Sequence, residues 1–254
     1  MSTTRVLAVA NQKGGVAKTT TVASLGAALA ELGHKVLLVD LDPQACLTFS
    51  LGVDPEDLDI SVHHVLTKGT HPSDVILATD DGVDLLPATI ELARAESDLL
   101  TRTGREYVIR SAVEDLDGAY DWVLLDCPPS LGVLTVAALT AATGVLIPLQ
   151  CETLSHRGVG QLLDTVHDVK RFTNRGLEVW GVLPTLYDGR TTHARTVLET
   201  ISETYGLTVI EPPIPKSIRF AEAPAAGRSI LSTSRTGKGA QAYRDVAANL
   251  SKRK

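Results

Sequence analysis

The stretch Arg5-Val-Leu-Ala-Val-Ala-Asn-Gln-Lys-Gly-Gly-Val-Ala-Lys-Thr-Thr20 decides how the rest of the chain folds. Residues 6–10 are a short apolar run typical of a buried strand, and a helical pattern begins at Lys18. The loop between them contains Gly14 and Gly15, which carry no Cβ and let backbone N–H groups approach an anion closely. A strand, a glycine loop, a lysine and a helix in this order predict a phosphate-binding site.

The residue types of this loop predict how it binds a nucleotide. We expect Lys18 to lie on the β- and γ-phosphates of ATP and the Thr19 hydroxyl to ligate Mg²⁺. The positive end of the following helix favours the same anion. The residues expected to contact ATP in this stretch are Gly14, Gly15, Val16, Ala17, Lys18, Thr19 and Thr20.

The loop departs from the ordinary P-loop pattern G-x-x-x-x-G-K-[ST], because Gln12 and Ala17 stand at its two glycine positions. A second lysine, Lys13, stands at the loop entrance. This arrangement resembles the deviant Walker A motif of the ParA/MinD ATPases, in which the first lysine is the signature residue. The resemblance implies that Lys13 reaches the phosphates of a partner subunit, so that ATP closes a homodimer.

Two more motifs place carboxylates directly after strand-like runs. Residues 35–39 lead into Asp42, and the run that begins at residue 121 ends at Asp126. Because parallel strands deliver their carboxyl ends to one edge of a sheet, both carboxylates should lie near Lys18. A turn or a helix cap is the alternative role for Asp42.

These carboxylates fill the two remaining roles in nucleotide hydrolysis. We expect Asp42 to orient the attacking water and Asp126 to take the Walker B role, binding Mg²⁺ directly or through water. Asp-x-Asp-Pro-Gln and Asp-Cys-Pro-Pro-Ser both resemble the ParA/MinD family, in which the later Asp of the first motif is needed for hydrolysis. The predicted metal ligands are Thr19, Asp42 and Asp126, and the predicted catalytic residues are Asp42, Lys13 and Lys18.

Length and composition bound the fold. Strand-like runs alternate with helical patterns over 254 residues, which predicts an α/β fold: a single-domain P-loop NTPase with a mostly parallel twisted sheet flanked by helices. Without an interdomain linker, residues 1–254 are expected to form one ATPase domain with no N-terminal DNA-recognition domain. No run approaches 18 apolar residues, and the first strand leaves no room for a signal peptide. Three unpaired cysteines, expected to be buried or partly buried, suit a reducing cytoplasm.

Charge is distributed unevenly along the chain. From Leu186 to the end there are 11 basic and 6 acidic residues, a net charge of +5, whereas the preceding residues carry −11 of the total of −6. A basic segment on an acidic body permits a local surface for DNA. A merely solvated surface would show the same asymmetry.

Two segments of this basic region resemble the ParA/Soj branch of the family, in which arginines at these places contribute to DNA binding. The implied DNA-binding residues are Arg190, Lys216 and Arg219, and the contribution of Arg228, Arg235 and Lys238 is left open. The alternatives are a surface charge at the start of a helix for Arg190 and a salt bridge to Glu222 for Arg219. The resemblance also implies that Pro213 and Pro215 wall the adenine.

The resemblance to the ParA/Soj branch implies the function of a nucleotide switch. Mg-ATP should hold two chains together, the dimer should grip DNA without sequence preference, and slow hydrolysis stimulated by a ParB-like adaptor should release it, so that a chromosome or plasmid is segregated. Such a protein would be cytoplasmic and associated with the nucleoid in its ATP state. An orphan member could instead position a microcompartment, a chemoreceptor array or the division machinery.

Two other functional classes make different demands on the sequence. A MinD-like membrane switch needs a C-terminal amphipathic helix with large apolar anchors, but no Trp or Phe follows Phe220. A reductase similar to the nitrogenase iron protein needs cysteines that share an iron–sulfur cluster across a dimer, and Cys151 has no obvious partner. His63, His64 and His71 are expected on the surface, and residues 208–210 are expected to form a short strand.

Overall fold

The computed structural model describes residues 4–116, 118–152 and 155–253. A seven-stranded sheet lies at its centre. The strands are β1 (Arg5–Val9), β2 (Val36–Asp40), β3 (Leu77–Ala78), β4 (Asp84–Leu86), β5 (Trp122–Asp126), β6 (Gly144–Gln150) and β7 (Glu178–Thr185). Their order in the sheet is β3-β4-β2-β5-β1-β6-β7, and every neighbouring pair is parallel except β3 with β4. The predicted α/β fold with a mostly parallel sheet is confirmed.

Helices cover both faces of this sheet. In chain order they are α1 (Lys18–Glu31), α2 (Cys46–Ser50), α3 (Val62–Lys68), α4 (Leu92–Leu100), α5 (Val108–Glu114), α6 (Val133–Ala141), α7 (Ser155–Phe172), α8 (Thr192–Tyr205), α9 (Arg219–Glu222), α10 (Ile230–Thr233) and α11 (Lys238–Ser251). Among the helices that the described residues form, none is both long and apolar enough to cross a bilayer.

The strand residues alternate between two hydrophobic cores, because successive side chains of a strand point to opposite faces. In β1, Ala8 packs with the core beneath α3 to α8, whereas Leu7 and Val9 pack with the core beneath α1 and α11. Both faces of the central strands are therefore buried, which explains why these strands read as continuous apolar runs.

The register of the central strands brings their polar ends together. Val9 pairs with Asp126, and Asp40 pairs with the same residue from the other side. β1 lies between β5 and β6: the strand that follows β1 in the chain lies on one side of it, and β6 and β7 are added on the other side, so the order of strands reverses at β1. The crevice at the carboxyl ends of strands beside such a reversal is where open α/β sheets bind ligands.

Two local expectations were wrong. Residues 208–210 make one isolated bridge, between Val209 and Val182, in place of a strand. His63 is buried, because it lies on the face of α3 that also carries Leu66 into the core.

Candidate active site

The loop between β1 and α1 has the backbone shape of an anion-binding nest. Gly15 and Ala17 both adopt the left-handed conformation, with φ of 75° and 65°. A Cβ built on Gly14 or Gly15 meets no atom within 4 Å, so the space above the loop is open. Ala17 is the N-cap of α1 and makes no side-chain cap, which leaves first-turn amides available to a ligand. The left-handed alanine costs about 1 kcal/mol, which explains why glycine suits this position.

Two side chains that the sequence did not single out hold the loop in place. Buried Asn11 donates its Nδ2 to the carbonyl oxygen of Pro148 at 2.8 Å and accepts the backbone N–H of Lys13 at 3.0 Å. The Thr185 hydroxyl at the end of β7 donates to the carbonyl oxygen of Val16 at 2.9 Å. The loop is thus tied to β6 and β7 through contacts between residues far apart in the chain.

Lys18 lies almost buried under the loop. Its Nζ donates to the carbonyl oxygen of Lys13 at 3.4 Å, a long hydrogen bond. Burial lowers the pKa of Lys18, and the charges of Asp126, Cys127 and Asp42 act in the opposite direction. The ammonium group is therefore poorly compensated and suited to an anionic ligand.

The two buried carboxylates at the strand ends differ in how they are hydrogen-bonded. Asp40 accepts the Thr48 amide at 2.9 Å, the Thr48 hydroxyl at 2.8 Å and the Asp42 amide at 3.1 Å. Neither carboxylate oxygen of Asp126 has a hydrogen-bond partner of acceptable geometry. A buried carboxylate without partners is costly unless a cation or proton reaches it.

The pKa values of this pair reflect the crowding. Burial is the main cause that raises the pKa of Asp40 to about 6, against its hydrogen bonds with Thr48 and Asp42. Burial, followed by the charge of Asp40, raises the pKa of Asp126 well above the ordinary range. The Thr19 hydroxyl, which lies nearby without making a hydrogen bond of acceptable geometry, and the charge of Lys18 act in the opposite direction. Asp40 is a member of the site that sequence reasoning missed, even though it stands two residues before Asp42.

Asp42 lies at the mouth of the same cluster and is only partly buried. Its Oδ1 accepts the amide of Gln44 at 3.0 Å, which is the local turn considered as the alternative. Its charge also acts on Lys18, Asp40 and Asp126. The structure therefore brings the predicted carboxylates and Lys18 together at one edge of the sheet.

These residues fit a magnesium ion held jointly with phosphate. In the part of the chain that the structure describes, no group of three or more His, Cys, Asp and Glu side chains could hold a metal by itself. Mg²⁺ keeps several waters and takes one or two carboxylates together with substrate phosphates. The orphaned oxygens of Asp126, with the Thr19 side chain nearby, match that requirement.

Lys13, the lysine at the loop entrance, is held by a carboxylate. Its Nζ lies 2.5 Å from the Glu152 Oε2 that follows β6, and both side chains are partly exposed. An exposed pair of this kind contributes about 1 kcal/mol or less, so the lysine is held weakly.

The segment that contains Pro213 and Pro215 runs alongside the end of β7. The amide of Ile214 donates to the carbonyl oxygen of Pro184 at 2.8 Å, and the amide of Tyr187 donates to that of Ile214 at 2.9 Å. Pro184 and Thr185 are the last two residues of β7, and Thr185 hydrogen-bonds the phosphate-binding loop. The segment of both prolines therefore lies at the edge of the sheet that carries the phosphate-binding residues.

The three residues expected to bind DNA are brought close together, but two of them are already paired. Tyr187 accepts the amide of Lys216 at 3.2 Å, which joins the two basic segments. Arg190 forms a forked ion pair with Asp188, and Arg219 pairs with Glu222 at 2.8 Å, the alternative noted for it. The basic surface thus combines three cations with two carboxylates.

Of the other basic candidates, Arg228 also has a carboxylate partner. It pairs with Asp80 at 2.5 Å, and Asp80 follows β3, at the opposite edge of the sheet from β7, which precedes Asp188. Cys46 is exposed, contrary to the expected burial, whereas Cys127 is buried with its thiol directed to the carbonyl oxygen of Leu125. Burial raises the pKa of Cys151 to about 11.

The parallel sheet, the nest at its edge and the lysine that opens α1 define a P-loop nucleotide-binding protein. A family model described as an AAA domain matches residues 4–179. The sporulation initiation inhibitor protein Soj of Bacillus subtilis is 42% identical over 96% of this chain and 96% of its own length. The chromosome partitioning protein ParA of Caulobacter vibrioides is 41% identical over 96% of this chain and 92% of its own.

A solved structure adds a relative with another name. The cobyrinic acid a,c-diamide synthase of Mycobacterium smegmatis, solved with ADP or an ATP analogue and magnesium, is 57% identical with a TM-score of 0.88. The matched region covers 97% of this chain and 94% of the M. smegmatis chain. The chain belongs to the AAA domain family matched here and to the ParA/MinD superfamily of partitioning ATPases.

Proposed function

We propose that this chain is a ParA/Soj-type partitioning ATPase that binds DNA as an ATP-dependent dimer and is switched off by hydrolysis. The observation that supports this most directly is the edge of the sheet where an open nest, Lys18 and the unpartnered carboxylate of Asp126 meet. ATP and Mg²⁺ are the ligands that this set of groups accommodates. Residues 1–254 act as one ATPase domain.

Each residue of the site has a defined task. The amides of Gly14 to Ala17 and the first turn of α1 bind the phosphates, and Lys18 neutralises the β- and γ-phosphate oxygens. Thr19 and Asp126 hold Mg²⁺, which supplies positive charge for the leaving phosphate. Asp42 at the mouth orients the attacking water. Pro213 and Pro215 wall the adenine.

Dimerisation depends on Lys13. In the isolated chain this lysine pairs with Glu152 over 2.5 Å, and the weak pair leaves it available to the phosphates of a second copy. The dimer doubles the number of basic surfaces formed by Arg190, Lys216 and Arg219. Contacts of these side chains with phosphates are independent of sequence and weaken as salt rises. A ParB-like adaptor stimulates hydrolysis and releases the DNA, so that the ATP state is the one on the nucleoid.

A membrane switch is disfavoured by the packing of the C-terminal helix. Tyr243, Val246 and Leu250 form the apolar face of α11, and all three are buried in the core shared with α1. Tyr243 also hydrogen-bonds Thr21 of α1 at 3.0 Å. An interfacial anchor must present its apolar face to lipid, and this face is occupied.

The name of the M. smegmatis structure suggests a second candidate, ATP-dependent amide formation. In that case the acceptor of the phosphoryl group would be a carboxylate, with the amide nitrogen supplied by glutamine or ammonia. A cysteine nucleophile that releases ammonia from glutamine must be an activated thiolate. The pKa is raised for all three thiols, by burial for Cys127 and Cys151, and by partial desolvation together with the charges of Asp42 and Asp40 for the exposed Cys46, which disfavours a cysteine-dependent use of glutamine.

One experiment separates these functions. The full chain is sedimented with duplex DNA or with anionic vesicles, in the presence of ATP, ADP or no nucleotide, and ADP release is measured with DNA or with cobyrinic acid and ammonia. We expect retention on DNA with ATP alone. Lys18→Ala should lose both nucleotide binding and retention, and Arg219→Glu should lose retention while it still binds ATP. Asp42→Ala should bind ATP and stay on DNA. Retention on vesicles, or ADP release that depends on cobyrinic acid, would reject the proposal.

A further inference from the structure

The most exposed large apolar side chain of the described residues belongs to the segment that carries two residues of the basic surface, Lys216 and Arg219. Ile218 is 72% exposed and stands between Lys216 and Arg219. Single exposed apolar residues are common and need no explanation by themselves. Its position between two cations, on a surface already assigned to a polyanion, is what sets it apart.

Ile218 is displayed by a rigid support. Its carbonyl oxygen accepts the amide of Ala221 at 2.9 Å, which starts the short helix α9. Two residues later, the Phe220 ring packs edge-to-face on buried Tyr243 with ring centroids 5.9 Å apart. Gly239 of α11 leaves room for Phe220, since a Cβ there would lie 2.6 Å from the ring. The segment is thus anchored by Phe220 on its inner side and presents Ile218 outward.

The electrostatics of this surface leave a part of the DNA affinity to be supplied by other interactions. Arg190 and Arg219 each carry a carboxylate partner, so the two arginines must exchange Asp188 and Glu222 for phosphates when DNA binds. Such an exchange gains less than the binding of a free cation to phosphate. Lys216 is exposed and adds one further positive charge, so each copy offers three cations against two anions.

We propose that Ile218 makes an apolar contact in a groove of the bound duplex, between the phosphates held by Lys216 and Arg219. This inference rests on the proposed function. Isoleucine is one of the side chains that proteins insert at base steps and groove walls of DNA. The patch is too small for a protein interface, which needs about 800 Å² per partner. It also lacks the several large anchors that hold a helix in a lipid surface.

The contact is tested by the salt dependence of DNA binding, measured with the full chain, Mg²⁺ and a non-hydrolysable ATP analogue. Removal of an apolar side chain should weaken binding equally at every salt concentration, so Ile218→Ala should bind roughly tenfold more weakly with an unchanged salt slope. Arg219→Ala should instead make the slope less negative by about 0.9 for each phosphate that is no longer neutralised. Ile218→Leu should restore affinity to within about twofold, because the apolar volume is kept.

Leu32→Ala is the matched control. Leu32 has the volume of isoleucine and is 50% exposed, but it is the C-cap of α1, at the end of that helix away from the nucleotide-binding loop. Its removal should leave DNA affinity unchanged. Light scattering with the ATP analogue should give the same mass for all variants.

Three outcomes would overturn the inference. The first is an Ile218→Ala variant that binds duplex within twofold of wild type, and the second is one that changes the salt slope as Arg219→Ala does. The third is an Ile218→Ala variant that keeps its affinity for duplex DNA but loses a retention on anionic vesicles that the wild-type chain shows, which would identify a lipid contact. If the wild-type chain fails to bind duplex, the proposed function falls together with this inference. Normal wild-type binding with an unaffected Ile218→Ala variant rejects the inference alone.

Discussion

Asp40→Asn should stabilise the nucleotide-free protein at alkaline pH, although it changes a fully buried, hydrogen-bonded residue. Burial raises the pKa of Asp40 to about 6 from its ordinary value of 3.8. Since one pKa unit corresponds to 1.36 kcal/mol, keeping this carboxylate ionised at pH 8 costs about 3 kcal/mol of unfolding free energy. Asparagine carries no charge and removes that cost.

The substitution also removes a hydrogen bond. Asp40 accepts three donors, the Thr48 amide and hydroxyl on one oxygen and the Asp42 amide on the other. An asparagine oxygen can keep both bonds to Thr48, but its NH₂ group would then face the Asp42 N–H. The missing bond costs about 1–2 kcal/mol. The expected net gain at pH 8 is therefore about 1–2 kcal/mol.

The sign of the pH dependence follows from linkage. Because the folded pKa of Asp40 lies above the unfolded value, the folded protein binds more protons between about pH 4 and 6. Its contribution to stability is complete below pH 4 and is lost as pH rises through 6. Denaturant unfolding of nucleotide-free protein between pH 4 and 8 should show this loss in wild type and a flatter profile in Asp40→Asn. Asp84→Asn is the control, because Asp84 accepts the Tyr120 hydroxyl at the opposite end of the neighbouring strand β4, where it pairs with Leu37. A variant less stable than wild type at pH 8, or one with the wild-type profile, would refute the reasoning.

Two further predictions concern side-chain pairs in and near the site. Glu152→Gln should release Lys13 from its ion pair and tighten the dimer formed with an ATP analogue by about two- to thirtyfold, because two Lys13–Glu152 ion pairs of up to about 1 kcal/mol each are broken per dimer. The dimer dissociation constant is measured by light scattering over a range of protein concentrations. Weaker dimerisation of the variant would contradict this prediction. Tyr243→Phe leaves the buried Thr21 hydroxyl without its hydrogen-bond partner and should lower the unfolding free energy by about 1–3 kcal/mol, measured by denaturant unfolding. If the cost comes from this bond, the double variant Tyr243→Phe with Thr21→Val should lose less stability than Tyr243→Phe alone.

The strand-end carboxylates could be predicted from sequence because parallel strands have a simple register. Each apolar run ends where a polar residue begins, and neighbouring parallel strands end at the same edge, so Asp42 and Asp126 had to lie near Lys18. The same register also places Asp40 at this edge, but its part in the site was missed, because only the structure shows its bonds to Thr48. The pattern places a residue at an edge and does not say what its side chain contacts.

Contacts between distant segments could not be predicted in this way. The bond of Asn11 to Pro148 and the pair of Lys13 with Glu152 each span more than 130 residues. Burial of His63 depends on which face of α3 meets the sheet, and a helix of 7 residues carries too little periodic pattern to decide it. The local ion pair of Arg219 with Glu222, by contrast, was readable from its spacing of three residues on a helix.

The unfavourable features of this chain are concentrated where the ligand is proposed to bind. Asp126 is buried with both oxygens unpaired, Asp40 beside it has a raised pKa, Lys18 has a lowered one, and Ala17 is left-handed. Mg²⁺ would compensate the carboxylates, and phosphate would compensate the lysine and the loop amides. Part of the binding free energy is therefore relief of a cost already present in the free protein. It follows that Asp40→Asn, which relieves some of that cost in advance, should weaken Mg-nucleotide binding while it stabilises the fold, and a variant that gains in both would contradict this link.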